Sequence, residues 1–301
     1  MGSVKCSSDA GAGGCGSCCS GCADGNGDVK KSGIRRTVIV LSGKGGVGKS
    51  TVALNLAVAM SLEGFRVGLL DIDIHGPSIP LMLGLEDKVM MSSNGLMEPL
   101  TAGNLKVMSI GFLLQDKNDA VIWRGPMKAG VIEQFLKEVN WGDLDCLIVD
   151  SPPGTGDEPL SICQNAGASS EGLIVTTPQE VSSADVRKSI NFCRKVQLPI
   201  IGIIENMSGF VCPDCCRITH IFSSGGGQKL AHDNGVSFLG SIPLDPEIGI
   251  CGDMGKPYIH RFSDSPVSAL FRKISQDILD SPLASERCAS GDIHRKKSEF
   301  K

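Results

Sequence analysis

The sequence is poor in aromatic side chains and has no excess of positive charge. It contains 2 Trp, 1 Tyr and 10 Phe in 301 residues, and its 29 Lys and Arg stand against 33 Asp and Glu, a formal net charge of −4. Proteins that bind nucleic acids usually carry a basic patch, often with aromatic side chains on which bases stack. The composition therefore argues against DNA or RNA as a partner.

Long hydrophobic runs and a secretion signal are also missing. No stretch approaches the roughly 18 uninterrupted apolar residues of a membrane-spanning helix, and the N-terminal sequence MGSVKCSSDA lacks a basic and then apolar layout. We expect a soluble cytoplasmic protein with no membrane partner. In that reducing compartment the 13 cysteines are expected to serve metal ligation, redox chemistry or burial rather than disulfides.

Composition divides the chain into three segments. Residues 1–36 are rich in Gly, Ser and Cys and have almost no large apolar side chains, so this segment cannot bury enough surface to fold alone. We expect a flexible N-terminal arm over 1–36, one domain over 37–282 and a polar tail over 283–301.

Short apolar runs alternate with helical stretches along the domain. The runs that predict strands are 37–41, 67–73, 105–111, 146–150, 172–177, 199–206 and 237–243. Continuous hydrophobicity indicates strands that are buried on both faces, as in a parallel sheet. The alternation predicts an α/β fold with a doubly wound, mostly parallel sheet. A last helix with apolar residues at helical spacing between Val267 and Ile278 is expected to dock on its core.

A glycine-rich segment, SGKGGVGKST, follows the first predicted strand and opens the first predicted helix. It fits the phosphate-loop pattern G-x-x-x-x-G-K-[ST] in the strand-loop-helix context that this motif requires. The backbone amides of such a loop surround phosphate groups, so we expect ATP or GTP as ligand. Lys49 is expected to reach the β- and γ-phosphates, and the Ser50 hydroxyl to ligate Mg²⁺. The nucleotide-binding residues expected in the loop are Gly43, Lys44, Gly45, Gly46, Val47, Gly48, Lys49, Ser50 and Thr51.

Two acidic segments follow later strands. LLDIDIHGPS ends a strand with Asp71 and Asp73, where a carboxylate could orient an attacking water or hold the water shell of a metal. LIVDSPPGTGD carries Asp150 and Gly154 and runs into a loop that two adjacent prolines stiffen. For Asp71 and Asp73, aspartates that merely form a turn at a strand end are the alternative interpretation.

The loop GKGGVGKS resembles the deviant Walker A motif of the ATPase branch that includes nitrogenase iron protein and the division-site and plasmid-partition ATPases. The resemblance implies a homodimer with ATP between its subunits, in which Lys44 acts on the partner's nucleotide. It also implies that Asp73 orients the attacking water, that Asp150 and, indirectly, Asp71 serve Mg²⁺, and that Asn206 reads the adenine edge. A solvated Lys44 and a turn-capping Asn206 are the alternatives.

Cysteines form more C-x-x-C pairs than chance would give. About 0.5 such pairs are expected at this cysteine content, and the chain has three: Cys15/Cys18, Cys19/Cys22 and Cys212/Cys215. The separate cysteines at 146, 163 and 193 lie in apolar or helical stretches and are expected to be small core residues.

Five segments together resemble the Mrp and nucleotide-binding-protein family of iron–sulfur cluster carriers and scaffolds. They are LLDIDIHGPSIP, VIWRGP (121–126), DSPPGTGDE, TTPQEVS (176–182) and ENMSGFVCPDC (205–215), and the likeness runs from about Thr37 to Leu279. It implies that Cys212 and Cys215 of two subunits hold one bridging [4Fe–4S] cluster. It also implies an upstream cluster donor and apo iron–sulfur proteins as recipients.

Two cysteine questions stay open at this point. Cys212, Cys215, Cys216 and His220 could instead form a zinc site within one subunit, and Cys216 could be a spare ligand or a bystander. Some eukaryotic members of the family carry four arm cysteines, spaced C-x13-C-x2-C-x5-C, that hold a further cluster. This arm has the spacing C-x8-C-x2-C-C-x2-C from Cys6 to Cys22. We expect a second metal or cluster site with Cys15, Cys18 and Cys22 as the favoured ligands, a disordered tail being the alternative.

Other members of the ATPase branch suggest competing functions. One is a positioning ATPase on a membrane or chromosome, and another is a reductase component that delivers electrons from a retained cluster. Cluster transfer coupled to ATP hydrolysis is the favoured prediction.

Overall fold

The structure, a computed structural model, describes residues 33–74, 76–86, 91–93, 95–113, 125–212, 215 and 217–283. The cysteines of the arm, Cys216 and the tail beyond Leu283 lie outside the described residues. The described part includes 33–36, which the sequence analysis assigned to the arm.

The strands are, in chain order, β1 (Thr37–Leu41), β2 (Val67–Asp71), β3 (Met91–Ser93), β4 (Leu96–Glu98), β5 (Leu100–Ala102), β6 (Leu105–Ser109), β7 (Cys146–Asp150), β8 (Ser170–Thr176), β9 (Ile200–Glu205), β10 (Phe210–Val211), β11 (Ile218–Thr219) and β12 (Phe238–Ser241). Each of the seven predicted strands overlaps one of these. The short strands β3, β4, β5, β10 and β11 were not predicted.

The α-helices are α1 (Lys49–Leu62), α2 (Ile79–Met82), α3 (Gly125–Lys137), α4 (Asp157–Asn165), α5 (Glu180–Lys195), α6 (Gly226–Asn234), α7 (Pro246–Asp253), α8 (Tyr258–Arg261) and α9 (Pro266–Asp280). A 3₁₀ helix covers Ile110–Leu113. No helix in the described ranges is both long and apolar enough to span a bilayer.

A central sheet organises the described residues. Its strand order is β12-β9-β8-β1-β7-β2-β6-β5, and all neighbours pair in parallel except β5, which runs antiparallel to β6 at one edge. The predicted doubly wound, mostly parallel α/β fold is confirmed. Because the central strands are parallel, β1, β2, β7, β8 and β9 all deliver the loops that follow them to the same edge of the sheet.

Both faces of the sheet are covered, which explains why its strands lack an apolar–polar alternation. Val38 and Val40 of β1 belong to one apolar core with α1 and α9, and Ile39 and Leu41 belong to another with α3. A third, smaller core lies between α5, α6 and the β8 and β9 strands. The apolar face of α9 docks on the sheet as expected, with Val267, Phe271, Ile274 and Ile278 buried.

A buried ion pair joins the start of the domain to its last helix. The Arg36 guanidinium lies 3.3 Å from the buried Glu171 carboxylate of β8. The same guanidinium donates to the carbonyl oxygens of Ile278 and Ser281 at the end of α9. Arg36 is therefore part of the folded domain.

Candidate functional site

The phosphate loop connects β1 to α1 at the carboxyl edge of the sheet. Gly46 and Gly48 have φ angles of +77° and +79°, a backbone conformation that favours glycine. No side chain caps the first turn of α1, so its N–H groups are available to an anionic ligand. The loop residues Gly45–Thr51 line a cavity of about 360 Å³ together with Asp73, Pro153 and residues of α2 and α7.

Lys49, Asp150 and Asp73 come together beside this cavity. The buried Lys49 Nζ lies 2.5 Å from Asp150 Oδ1 and 4.0 Å from Asp73 Oδ2. Asp150 is fully buried at the end of β7, whereas Asp73 is 14% exposed and lines the cavity. Asp73 is therefore the more accessible of the two carboxylates.

Asp71 lies deeper and is occupied by structural hydrogen bonds. Its carboxylate accepts from the backbone N–H of Asp73 (3.1 Å), the N–H of Ile79 (3.3 Å) and the Ser109 hydroxyl (3.0 Å). Burial, followed by repulsion from Asp150, raises the pKa of Asp71 to about 8. Asp71 therefore positions the loop that carries Asp73. The Ser109 hydroxyl, which no sequence motif indicated, donates to the Asp71 carboxylate and holds it in place.

The chemistry of this cluster fits a magnesium ion. Asp150 Oδ2 is buried and has no hydrogen-bond partner among the described residues, although its other oxygen pairs with Lys49. Ser50 lines the same cavity. Carboxylate, hydroxyl and phosphate oxygens are the hard ligands that Mg²⁺ prefers.

Asn206 lies at the phosphate loop in an arrangement that the sequence did not predict. Its side-chain amide donates to the Val47 carbonyl at 2.9 Å and is buried. A Cβ atom added at Gly48 would lie 2.3 Å from Asn206 Nδ2, so the close approach requires glycine there. In this conformation the amide group supports the loop, and adenine recognition by Asn206 stays a prediction.

Two further loops touch the phosphate loop. Lys44 Nζ donates to the side-chain oxygen of Gln179 at 3.0 Å. Gly154, in the loop after β7, donates its N–H to the Ser42 carbonyl at 2.8 Å. Gln179 belongs to TTPQEVS, one of the segments that carry the family resemblance, but no local sequence pattern predicts a role for this residue.

The second candidate site is a surface hairpin of β10 and β11, called the cysteine hairpin here (residues 210–219). Cys212 is half-buried and donates its backbone N–H to the Arg217 carbonyl at 3.0 Å, and Cys215 is exposed. Val211 and Ile218 are 45% and 60% exposed. The hairpin therefore presents the Cys215 thiol and two apolar side chains to solvent.

No complete metal site is found among the residues that the structure describes. In particular, no three His, Cys, Asp or Glu side chains there form a group that could hold a metal. Cys212, Cys215 and His220 therefore do not form a site by themselves. Cys216 and the arm ligands Cys15, Cys18 and Cys22 lie outside the described residues, so the expectations for them stay predictions.

The interior cysteines differ chemically from those of the hairpin. Cys146 and Cys193 are buried, as expected, and Cys163 is partly buried. Burial raises the pKa of Cys146 and Cys193 to about 12 and that of Cys163 to about 11. Because the thiolate is the metal ligand, these three thiols are poor ligands near neutral pH.

Comparisons with known proteins identify the family of this chain. The model of the protein family described as NUBPL iron-transfer P-loop NTPase (ParA) matches residues 33–279. The chain is 49% identical over 263 residues to the cytosolic Fe-S cluster assembly factor CFD1 of Kluyveromyces lactis, covering 84% of this chain and 93% of that protein. It is 51% identical over 248 residues to the iron-sulfur cluster carrier protein of Methanocaldococcus jannaschii, covering 82% and 85% of the two chains.

A solved structure shows the same likeness. The nucleotide-binding protein of Archaeoglobus fulgidus, in complex with ADP, is 39% identical to this chain with a TM-score of 0.68. The match covers 78% of this chain and 91% of that one.

Proposed function

Because the chain belongs to the NUBPL iron-transfer P-loop NTPase family, we propose that it is an ATP-dependent carrier that binds a [4Fe–4S] cluster and transfers it to apo iron–sulfur proteins. One observation supports this proposal above the others. A single domain combines a phosphate loop, with its charged cluster, and an exposed hairpin that carries the C-x-x-C thiols. The similar proteins of Kluyveromyces lactis and Methanocaldococcus jannaschii are named a cytosolic Fe-S cluster assembly factor and an iron-sulfur cluster carrier protein.

The first part of the proposed activity is ATP hydrolysis. Lys49 neutralises charge that develops on the transferred phosphoryl group, and the loop amides hold the phosphates. Asp73 orients the attacking water, since it is the acidic residue of the cluster that lines the cavity. Mg²⁺, held with the help of Ser50 and Asp150, would neutralise charge on the phosphate oxygens. Asn206 selects adenine.

The second part is a homodimer with shared sites. Lys44 leaves its own subunit's Gln179 and reaches the nucleotide of the partner subunit. Cys212 and Cys215 give two thiolates per chain, whereas a [4Fe–4S] cluster usually takes four. Two-fold symmetry doubles the pair to four. A cluster at such a subunit interface can be released when ATP binding or hydrolysis moves the subunits relative to each other.

The arm and the cellular setting complete the proposal. Cys15, Cys18 and Cys22 contribute to a second metal or cluster site in the arm, which receives iron and sulfur from an upstream donor. The carrier works in the cytosol, as the name of the yeast relative says of that protein.

Cluster transfer tests the proposal. Anaerobically reconstituted protein is mixed with Mg²⁺, ATP and an apoprotein that has an empty [4Fe–4S] site, and iron and sulfide are measured in both proteins after separation. We expect iron and sulfide to move together to the acceptor. Repeated electron delivery with the cluster retained on the carrier would favour a reductase component instead. Colourless protein that holds zinc without sulfide would refute the proposal.

A further inference from the structure

A short loop between β8 and α5, called the connecting loop here (residues 177–179), contacts the phosphate loop at its last residue. Gln179 accepts the hydrogen bond from Lys44 Nζ at 3.0 Å. The neighbouring backbone is tightly packed, since a Cβ atom added at Gly43 would lie 2.5 Å from the backbone of Asp185 in α5. The start of the phosphate loop therefore cannot move without disturbing the connecting loop or α5.

The preceding residue of the connecting loop contacts the other candidate site. The Pro178 carbonyl accepts a hydrogen bond from the Ser223 hydroxyl. Ser223 lies in the segment between the cysteine hairpin and α6. At the end of that segment, a Cβ atom added at Gly226 would lie 2.9 Å from the Pro178 oxygen. The chain that leaves the hairpin is thus packed directly against the connecting loop.

These contacts belong to adjacent residues of a stiff segment. The proline ring fixes φ at Pro178, and the backbone N–H of Asn206 donates to the Thr176 carbonyl at 2.7 Å just before the loop. Asn206 itself bonds to the Val47 carbonyl of the phosphate loop. A chain of direct contacts therefore connects the phosphate loop to the segment that follows the cysteine hairpin.

We propose that Gln179 couples the nucleotide state to the cysteine hairpin by holding Lys44 within its own subunit. This inference rests on the proposed function. In one state Lys44 is bound to Gln179, and in the other it has moved to the partner's nucleotide. The connecting loop also contacts Ser223 and Gly226. When Lys44 leaves Gln179, the packing of the connecting loop against this segment changes, and with it the affinity of the hairpin for the cluster.

Two substitutions at Gln179 test this coupling in opposite directions. Transfer of the cluster to an apoprotein is measured with and without ATP in Mg²⁺ buffer. Coupling between two sites typically changes an affinity by roughly 5- to 150-fold. We expect ATP to change the affinity of the wild type for its cluster, read from the share of cluster that it keeps after transfer, within that range. Gln179→Ala removes the hydrogen bond, so the ATP effect should fall to within about twofold of none. Gln179→Glu pairs with Lys44 as an ion pair, so a higher ATP concentration should be needed for the same effect.

Linkage supplies a second readout that a purely structural role would not change. If ATP alters cluster affinity, the loaded cluster must alter ATP affinity by the same factor. Equilibrium dialysis of a non-hydrolysable ATP analogue against loaded and unloaded protein should show that factor in the wild type and its loss in Gln179→Ala. Without nucleotide, the affinity of Gln179→Ala for its cluster should already resemble that of the ATP-bound wild type, because Lys44 is no longer retained by residue 179. Gln134→Ala, at an exposed position of α3, is the matched control and should behave like the wild type.

The possible outcomes separate the coupling role of Gln179 from the proposed function. Wild-type coupling in Gln179→Ala would overturn the coupling role, and so would a nucleotide-free cluster affinity in that variant that equals the affinity of the nucleotide-free wild type. A wild type that loads the cluster, hydrolyses ATP and transfers the cluster, but shows no effect of ATP on transfer, would also overturn it, while cluster carriage stands. Failure of the wild type to bind iron and sulfide would instead overturn the proposed function.

Discussion

At the scale of single residues, the nucleotide site is a balance of buried charges. Lys49 forms an ion pair with Asp150. Asp71 lies opposite Asp150 in the register of the neighbouring strands β2 and β7. Both carboxyl groups are buried, where water screens their repulsion little, and the pKa of Asp71 is raised to about 8 so that Asp150 carries the negative charge that Lys49 balances. Lys49 therefore serves the stability of the fold as well as the proposed phosphate chemistry.

Substitution of Lys49 by alanine should separate these two effects. Lys49→Ala should abolish ATP hydrolysis and also lower the free energy of unfolding by about 3–5 kcal/mol, because it leaves buried Asp150 without its cation. The double variant Lys49→Ala/Asp150→Asn should regain much of that stability but no hydrolysis. Urea denaturation and phosphate release measure the two properties. An unchanged rate of hydrolysis in Lys49→Ala would refute the assigned chemistry of the loop.

Thiol reactivity should distinguish the hairpin from the interior. In protein with the five arm cysteines replaced by serine, iodoacetamide at pH 8 should modify Cys215 and leave Cys146 and Cys193 unmodified, because the pKa of each interior thiol is raised to about 12 and the thiolate is the reactive form. Mass spectrometry of the digested protein locates the label, and denatured protein is the control in which all thiols react. Equal labelling of Cys146 and Cys215 in native protein would contradict this prediction.

At the scale of elements, the regular strands were easier to predict than the short ones. Runs such as Thr37–Leu41 and Cys146–Asp150 are continuous in hydrophobicity because helices cover both faces of the sheet. The hairpin strands β10 and β11 have 2 residues each, too few for any periodicity. Sequence spacing identified the C-x-x-C pair there, but it could not show that the pair lies on an exposed hairpin.

The last helix gives a test of stability that is independent of the two sites. Arg36→Gln should lower the free energy of unfolding by about 3 kcal/mol, because Glu171 stays buried without the guanidinium and the end of α9 loses its donor. Arg35→Gln is the control at an exposed neighbouring position and should change stability by less than about 0.5 kcal/mol. Urea denaturation measures the free energy of unfolding of both variants. Equal changes in the free energy of unfolding would show that the buried ion pair of Arg36 and Glu171 adds no more stability than an exposed arginine does.

At the scale of the whole molecule, the fold and the phosphate loop could be predicted because their signals are local. A glycine pattern between a strand and a helix identifies the loop within ten residues. The contacts of Lys44 with Gln179 and of Asn206 with Val47 join positions that are far apart in sequence. Local patterns carry no information about such pairs, so these contacts emerged only from the folded chain.

Mixed dimers test whether the sites are shared between subunits. Lys44→Ala and Asp73→Asn should each impair ATP hydrolysis when alone. A heterodimer of the two can assemble one site with its own Lys49, an intact Asp73 and the partner's Lys44, so mixing should restore part of the activity. Mixtures that native mass spectrometry shows to contain heterodimers, yet that remain inactive, would contradict the action of Lys44 across the interface.

Iron and acid-labile sulfide content tests the central claim, a cluster shared by two cysteine hairpins, most directly. The protein with serine at the five arm positions is reconstituted anaerobically, and iron, sulfide and molecular mass are measured. We predict a dimer with about 2 iron and about 2 sulfide per chain, since four irons are shared by two chains. Cys212→Ser/Cys215→Ser should lose both, and Cys216→Ser should lose far less. One zinc per chain without sulfide, or full loading in the Cys212→Ser/Cys215→Ser protein, would contradict the account.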